Sequence, residues 1–110
     1  MKHLLTSPSQ SATLVAKGIS ADNASIRYAI RNRELTPRIF TLADLCSLLP
    51  KEIGTDTLYM EYLSDGRWEV GYRGERKTHS ILEFVIENEL VDALYELLCR
   101  AIDNKHVKLD

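Results

Sequence analysis

The stretch from Leu58 to Tyr72 constrains the fold more than any other part of the chain. Leu58, Met60 and Tyr62 alternate with less apolar neighbours, Ser64-Asp65-Gly66 interrupts, and Trp68, Val70 and Tyr72 alternate again. This is the period of two half-buried strands joined by a tight turn, and it predicts a β-hairpin over 57–63 and 67–73. The aligned apolar side chains must share one face, because a slip of one residue would turn all of them toward water. That face needs a cover. The C-terminal segment is built to supply it: over 88–104, Leu90, Leu94, Leu97, Leu98 and Ala101 fall on one side of a helix with Val91 and Ile102 beside them, while Asp92, Glu96 and Asp103 fall opposite. Glu96 and Arg100 stand in the favoured i,i+4 order.

Two shorter helices are written in their caps. Ser7 and Gln10 make a capping box around Pro8 at the first helical position, and Gly18 followed by Ile19 supplies a stop, so a helix is expected over 8–17. Thr41 with Asp44 three residues later opens a second helix over 42–49, whose apolar stripe is Leu42, Leu45, Cys46, Leu48 and Leu49 before Pro50. Two segments stay open. Residues 25–31 alternate as a strand yet also stack Ile26, Ala29 and Ile30 as a helix would. Residues 79–86 fit either a third meander strand carrying Ser80, Leu82, Phe84 and Ile86 on one side or an early start of the last helix. The expected architecture is a single α+β domain over 1–110: an antiparallel sheet of three or four strands with the C-terminal helix on one face.

At 110 residues and 12.5 kDa the chain has the size of one ordinary domain, and its 45% hydrophobic and 27% charged residues are average for a globular protein. No charge-free run approaches the ~18–20 apolar residues of a membrane span, and only Leu4 and Leu5 follow Lys2, so neither membrane insertion nor secretion is expected and the default location is cytoplasmic. Cys46 and Cys99 each sit in an apolar helical pattern and are expected to be free core thiols. His3, His79 and His106 lack ligand spacing to a cysteine or to one another, so no metal and no cofactor is expected. No phosphate loop, nucleophile constellation or other catalytic motif occurs, and the chain is not expected to be an enzyme.

Two surfaces remain as candidates. Arg27, Arg31, Arg33 and Arg38, with Tyr28 among them, are the one cluster that hints at nucleic acid. The formal net charge of −2 works against long-range attraction to phosphate, although residues 1–55 hold seven basic against four acidic side chains and residues 56–110 hold seven against twelve. Tyr59 and Leu63 project from the hairpin face turned away from the core, and Tyr95 lies with Cys99 at the margin of the last helix. These apolar side chains are the expected contact for a protein partner or a second copy.

A family resemblance runs through several of these segments: Thr6-Ser7-Pro8-Ser9-Gln10 through Lys17-Gly18-Ile19, Thr41-Leu42-Ala43-Asp44-Leu45 to Leu48-Leu49-Pro50, Trp68-Glu69-Val70-Gly71-Tyr72, and Val91-Asp92-Ala93-Leu94-Tyr95-Glu96-Leu97-Leu98 with Ile102-Asp103-Asn104. In that order the chain resembles small proteins of phages and prophages in Bacteroides-type bacteria, with a longer segment between Gly74 and Asn88. The resemblance implies an α+β fold and a mobile-element origin, and it brings no active site. The expected function is that of an accessory protein working by protein contact, self-association included, with nucleic-acid association through the arginines as the alternative and a small enzyme without a recognisable motif as the third reading.

Overall fold

A computed structural model describes residues 4–26, 39–74 and 82–109. Helix α1 spans Pro8–Ala16, α2 Leu42–Leu48 and α3 Leu90–Asp103; the strands are β1 Glu52–Ile53, β2 Asp56–Tyr62, β3 Trp68–Arg73 and β4 Val85–Glu87, with a 3-10 turn at Ala21–Asn23. The four strands form one antiparallel sheet in the order β1-β2-β3-β4. The fold is α+β, with α3 packed on β3 and β4 and α2 packed on α3. No helix of the described residues is long and apolar enough to cross a membrane.

The helix caps form as their residues dictate. Ser7 Oγ accepts from the Gln10 N–H at 3.0 Å while Gln10 Oε1 accepts from the Ser7 N–H at 2.9 Å. At the other end Gly18, at φ +110°, lets the Ile19 N–H reach the Leu14 carbonyl at 3.0 Å, and Ile19 packs into the core with Leu14. Thr41 and Asp44 form the second capping box. Asp44 also accepts from the Ser25 N–H at 2.8 Å and from the Ser25 hydroxyl at 2.5 Å. Burial opposes its ionisation, but these bonds and those from Thr41 outweigh burial and hold its carboxyl below the ordinary value. The helix cap thus doubles as a tie between two distant segments.

The N-terminal segment is fastened by a buried polar cluster. Residues 4–6 run antiparallel to 40–42, with Thr6 N–H donating to the Phe40 carbonyl at 2.9 Å and Leu42 N–H to the Leu4 carbonyl at 2.9 Å. The Thr6 hydroxyl accepts from the Phe40 N–H at 3.1 Å and lies 2.7 Å from the Ser11 hydroxyl. The Thr6 hydroxyl is also within donating distance of the Phe40 carbonyl, at 3.3 Å, and the Ser11 hydroxyl of the Ser7 carbonyl, at 2.9 Å. Every atom of the cluster is satisfied, as burial at this depth requires.

The hairpin forms in the expected register, Leu58 facing Tyr72, Met60 facing Val70 and Tyr62 facing Trp68. Its turn is a type I turn closed by a bulge: the Gly66 N–H donates to the Leu63 carbonyl at 3.0 Å, the Leu63 N–H to the Arg67 carbonyl at 2.8 Å, and Gly66 takes φ +90°. Val70 and Tyr72 are buried beneath the helix, and the Tyr72 hydroxyl donates to the Pro50 carbonyl at 2.6 Å. The expectation that the helix covers the whole face is corrected at the turn end, where Met60 is 41% and Tyr62 63% exposed. The cause is placement: α3 crosses β3 and β4, so the distal half of β2 extends past its edge.

Between the two readings of 79–86, the described part is strand β4, with residues 79–81 outside the described residues. The expected apolar face is corrected: Val85 is buried and Phe84 is 54% exposed. Val85 faces Val70 across the ladder, so the helix-covered face of β3 selects Val85, and Leu82 reaches the core from outside the strand. The last helix begins at Leu90, two residues later than expected, because Glu89 is still extended at φ −117°, ψ 137°. Of 25–31, Ser25 and Ile26 are described, and Ile26 exchanges backbone hydrogen bonds with Ile39 at 2.9 and 3.2 Å. The remainder of that segment lies outside the described residues.

Candidate protein-contact surface

The exposed end of the hairpin combines apolar side chains on one face with a charged cluster on the other. On the first face Tyr62 and Trp68 pair with ring centroids 5.1 Å apart and planes tilted by 55°, and Met60 lies next in line on β2. Tilted aromatic pairs of this spacing hold each other in place. They therefore present a preformed apolar ridge.

On the second face lie Thr57, Tyr59, Glu61 and Leu63 of the first strand and its turn, opposite Arg73, Gly71, Glu69 and Arg67. The Tyr59 ring lies over Gly71, where an added Cβ would come within 3.2 Å of both Tyr59 and Phe84. The missing side chain is what lets the ring lie flat on the sheet. Tyr59 donates its hydroxyl to Glu69 Oε2 at 2.7 Å, and the Arg73 guanidinium stacks 3.9 Å above the ring. Burial first, then the bond to Glu69, pushes the Tyr59 hydroxyl up to about 12. Tyr59 is thus a fixed, protonated donor.

Of the expected contact residues, Tyr59 and Leu63 share this second face, both half-buried. Tyr95 does not join them. It belongs to the helical layer, where α1 lies along the same side of α3: Gln10 Nε2 donates to Asp92 Oδ1 at 2.9 Å and Lys17 Nζ to Asp103 Oδ1 at 2.7 Å. Burial raises the Tyr95 hydroxyl, with Thr13 and Cys99 as its neighbours. Met60 and Tyr62 are exposed although their alternation assigned them to the core face, and Trp68 beside them is half-buried. Arg27, Arg31, Arg33 and Arg38 lie outside the described residues, as do His3 and His79.

Cys46 and Cys99 are free thiols packed against the core, and burial raises both. Among the described residues no group of three or more His, Cys, Asp or Glu side chains is placed to hold a metal ion. Beside the ridge, Glu87 faces Trp68 across the ladder. A hydrogen bond with Glu96, then burial, then the negative charges of Glu96 and Asp92 push the Glu87 carboxyl above its ordinary value of 4.5. Its stabilising contribution is complete below that value and is lost as pH rises through the raised folded value. Glu87→Gln is accordingly expected to raise the melting temperature at pH 7 and to flatten the pH dependence across that window. The gain should stay under about 1 kcal/mol because water screens the pair. Calorimetry of parent and variant from pH 4 to 7 checks it, and an unchanged slope would remove the coupling.

Comparison of the chain with protein-family models, with curated proteins and with solved structures finds no match.

Proposed function

We propose that this chain is a non-enzymatic accessory protein that acts by protein contact, and that the end of its hairpin is the contact surface. The observation that supports this is the ridge of Met60, Tyr62 and Trp68, which the fold aligns on one sheet face, with Trp68 half-buried and Met60 and Tyr62 left exposed past the covering helix. Covering such side chains gains roughly 25 cal/mol per Å² of apolar surface, and ordered aromatics of this kind are enriched where proteins dock. A cytoplasmic setting and a mobile-element origin belong to the same reading.

The nucleic-acid alternative gains nothing from the hairpin. Between Asp56 and Arg73 the chain holds four carboxylates against two guanidinium groups. Both of those are engaged, Arg67 with Asp65 at 2.7 Å and Arg73 with Glu61 at 3.5 Å. Tight contact with phosphate requires free positive charge.

A photo-crosslinking amino acid in place of Tyr62, compared with one in place of exposed Ala12 on α1, tests the surface in cells that express the protein. A discrete adduct from position 62 that vanishes when Met60 and Trp68 are both changed to serine is the expected result. No adduct from position 62, or the same adducts from both positions, would refute the assignment.

A further inference from the structure

We infer that the outer edge of β2 takes up an extended segment of a partner protein as an added strand, with an apolar-basic-apolar run of that segment set against Met60, Glu61 and Tyr62. Strand addition is one form of the protein contact proposed above and stands only if that contact exists.

The backbone register shows the open slot. The Leu63 N–H bonds to Arg67, so along β2 residues 57, 59, 61 and 63 pair inward with β3, and residues 58, 60 and 62 turn their N–H and C=O groups to the outer edge. On that edge the Leu58 N–H donates to the Lys51 carbonyl at 2.9 Å, and β1 covers Asp56 and Thr57. There the cover stops. Among the described residues no backbone group pairs with the outward N–H and C=O of Met60 or of Tyr62. An unpaired strand edge of this kind is a template for a further strand, which would gain main-chain hydrogen bonds at both residues.

Charge selects the middle residue of the incoming run. Glu61 and Glu69 stand directly opposite each other, an arrangement of like charges that costs stability unless a cation answers it. Among the described residues the guanidinium within reach is that of Arg73, 3.5 Å from Glu61 and 3.9 Å from Glu69. Glu69 also receives the Tyr59 hydroxyl, whereas the Glu61 side chain is 55% exposed and sits on the strand with the open edge. A Lys or Arg in the added strand, opposite Glu61, completes the pairing. Its two neighbours fall on the opposite face beside Met60 and Tyr62, where apolar side chains extend the ridge. A second copy fits less well, because antiparallel pairing of two such edges through Met60 and Tyr62 sets two Glu61 carboxylates against each other.

The test uses the whole chain and the peptide acetyl-Ser-Thr-Val-Lys-Val-Thr-Ser-amide, which contains no aromatic residue. Trp68, the only tryptophan, reports binding by its fluorescence. Saturable binding is expected, at least about threefold weaker when glutamate replaces the peptide's lysine, with the difference shrinking at ~1 M salt. Methylating the two valine amides should abolish it. Met60→Pro removes an N–H that the fold does not use, so this variant should melt near the parent and lose the peptide. Should that variant fail to fold, the methylated peptide makes the same distinction. No saturable change by ~1 mM peptide, equal binding of the lysine and glutamate peptides, or undiminished binding after methylation would overturn strand addition. So would a parent dimer that Met60→Pro dissociates, since the occupant would then be a second copy. A crosslink from position 62 that persists in folded Met60→Pro would leave the contact surface standing and refute only its mode.

Discussion

Phe40→Ala is expected to cost about 3–5 kcal/mol, a large share of the roughly 5–15 kcal/mol that holds a domain folded. Phe40 is fully buried in the core cluster. Its backbone is also the rail on which the N-terminal segment runs, since its carbonyl takes the Thr6 N–H and its own N–H goes to the Thr6 hydroxyl. Truncation therefore opens a cavity in the core beside the N-terminal segment. Thr6→Val provides the calibration: it keeps the volume but leaves the Phe40 N–H and the Ser11 hydroxyl short of a partner, a loss of about 1–3 kcal/mol. Urea unfolding of both variants should show lower midpoints at an unchanged slope. A Phe40→Ala midpoint within 1 kcal/mol of the parent would take Phe40 out of the core.

Phe40 also shows where sequence reading stops. The hairpin, the two capping boxes and the stripe of the last helix are local patterns, each decided by residues a few positions apart, and each forms as its residues dictate. Phe40 belongs to no period. Its burial depends on Thr6, 34 residues away, and no local spacing announces that pairing. The same limit applies to β4, where the buried position is set by Val70 across the ladder and not by the alternation within 79–86. At the candidate surface, alternation correctly sorted Tyr59 and Leu63 onto one face and Met60, Tyr62 and Trp68 onto the other. It carried no information on how far the helix reaches across the sheet, and that distance decides which of these residues meet solvent. What borders Tyr95 at the helix margin was hidden for a related reason: Gln10 and Lys17 bring α1 along α3, and charged and amide side chains so far apart in sequence carry no mark of their partnership. The open edge of β2 follows from the two-residue length of β1, which the tight turn at Gly54 permits but does not specify.

The helix's reach across the sheet can be measured by comparing two truncations that look alike in sequence. Leu94 and Tyr62 are both large apolar members of a clear amphipathic pattern, yet Leu94 has no exposed surface and Tyr62 has 63%. Leu94→Ala removes a side chain from the centre of the face that α3 lays on β3 and β4, and the expected loss is about 2–5 kcal/mol. Tyr62→Ala removes little more than the tilted pairing with Trp68, and the expected loss is under about 1 kcal/mol. If the helix instead covered the whole hairpin face, both would fall in the larger range, because Tyr62 would then leave a cavity of its own. Thermal unfolding followed by calorimetry separates the cases. A Tyr62→Ala variant destabilised as much as Leu94→Ala would place the hairpin end inside the core and remove the ridge on which the contact surface and the open strand edge both depend.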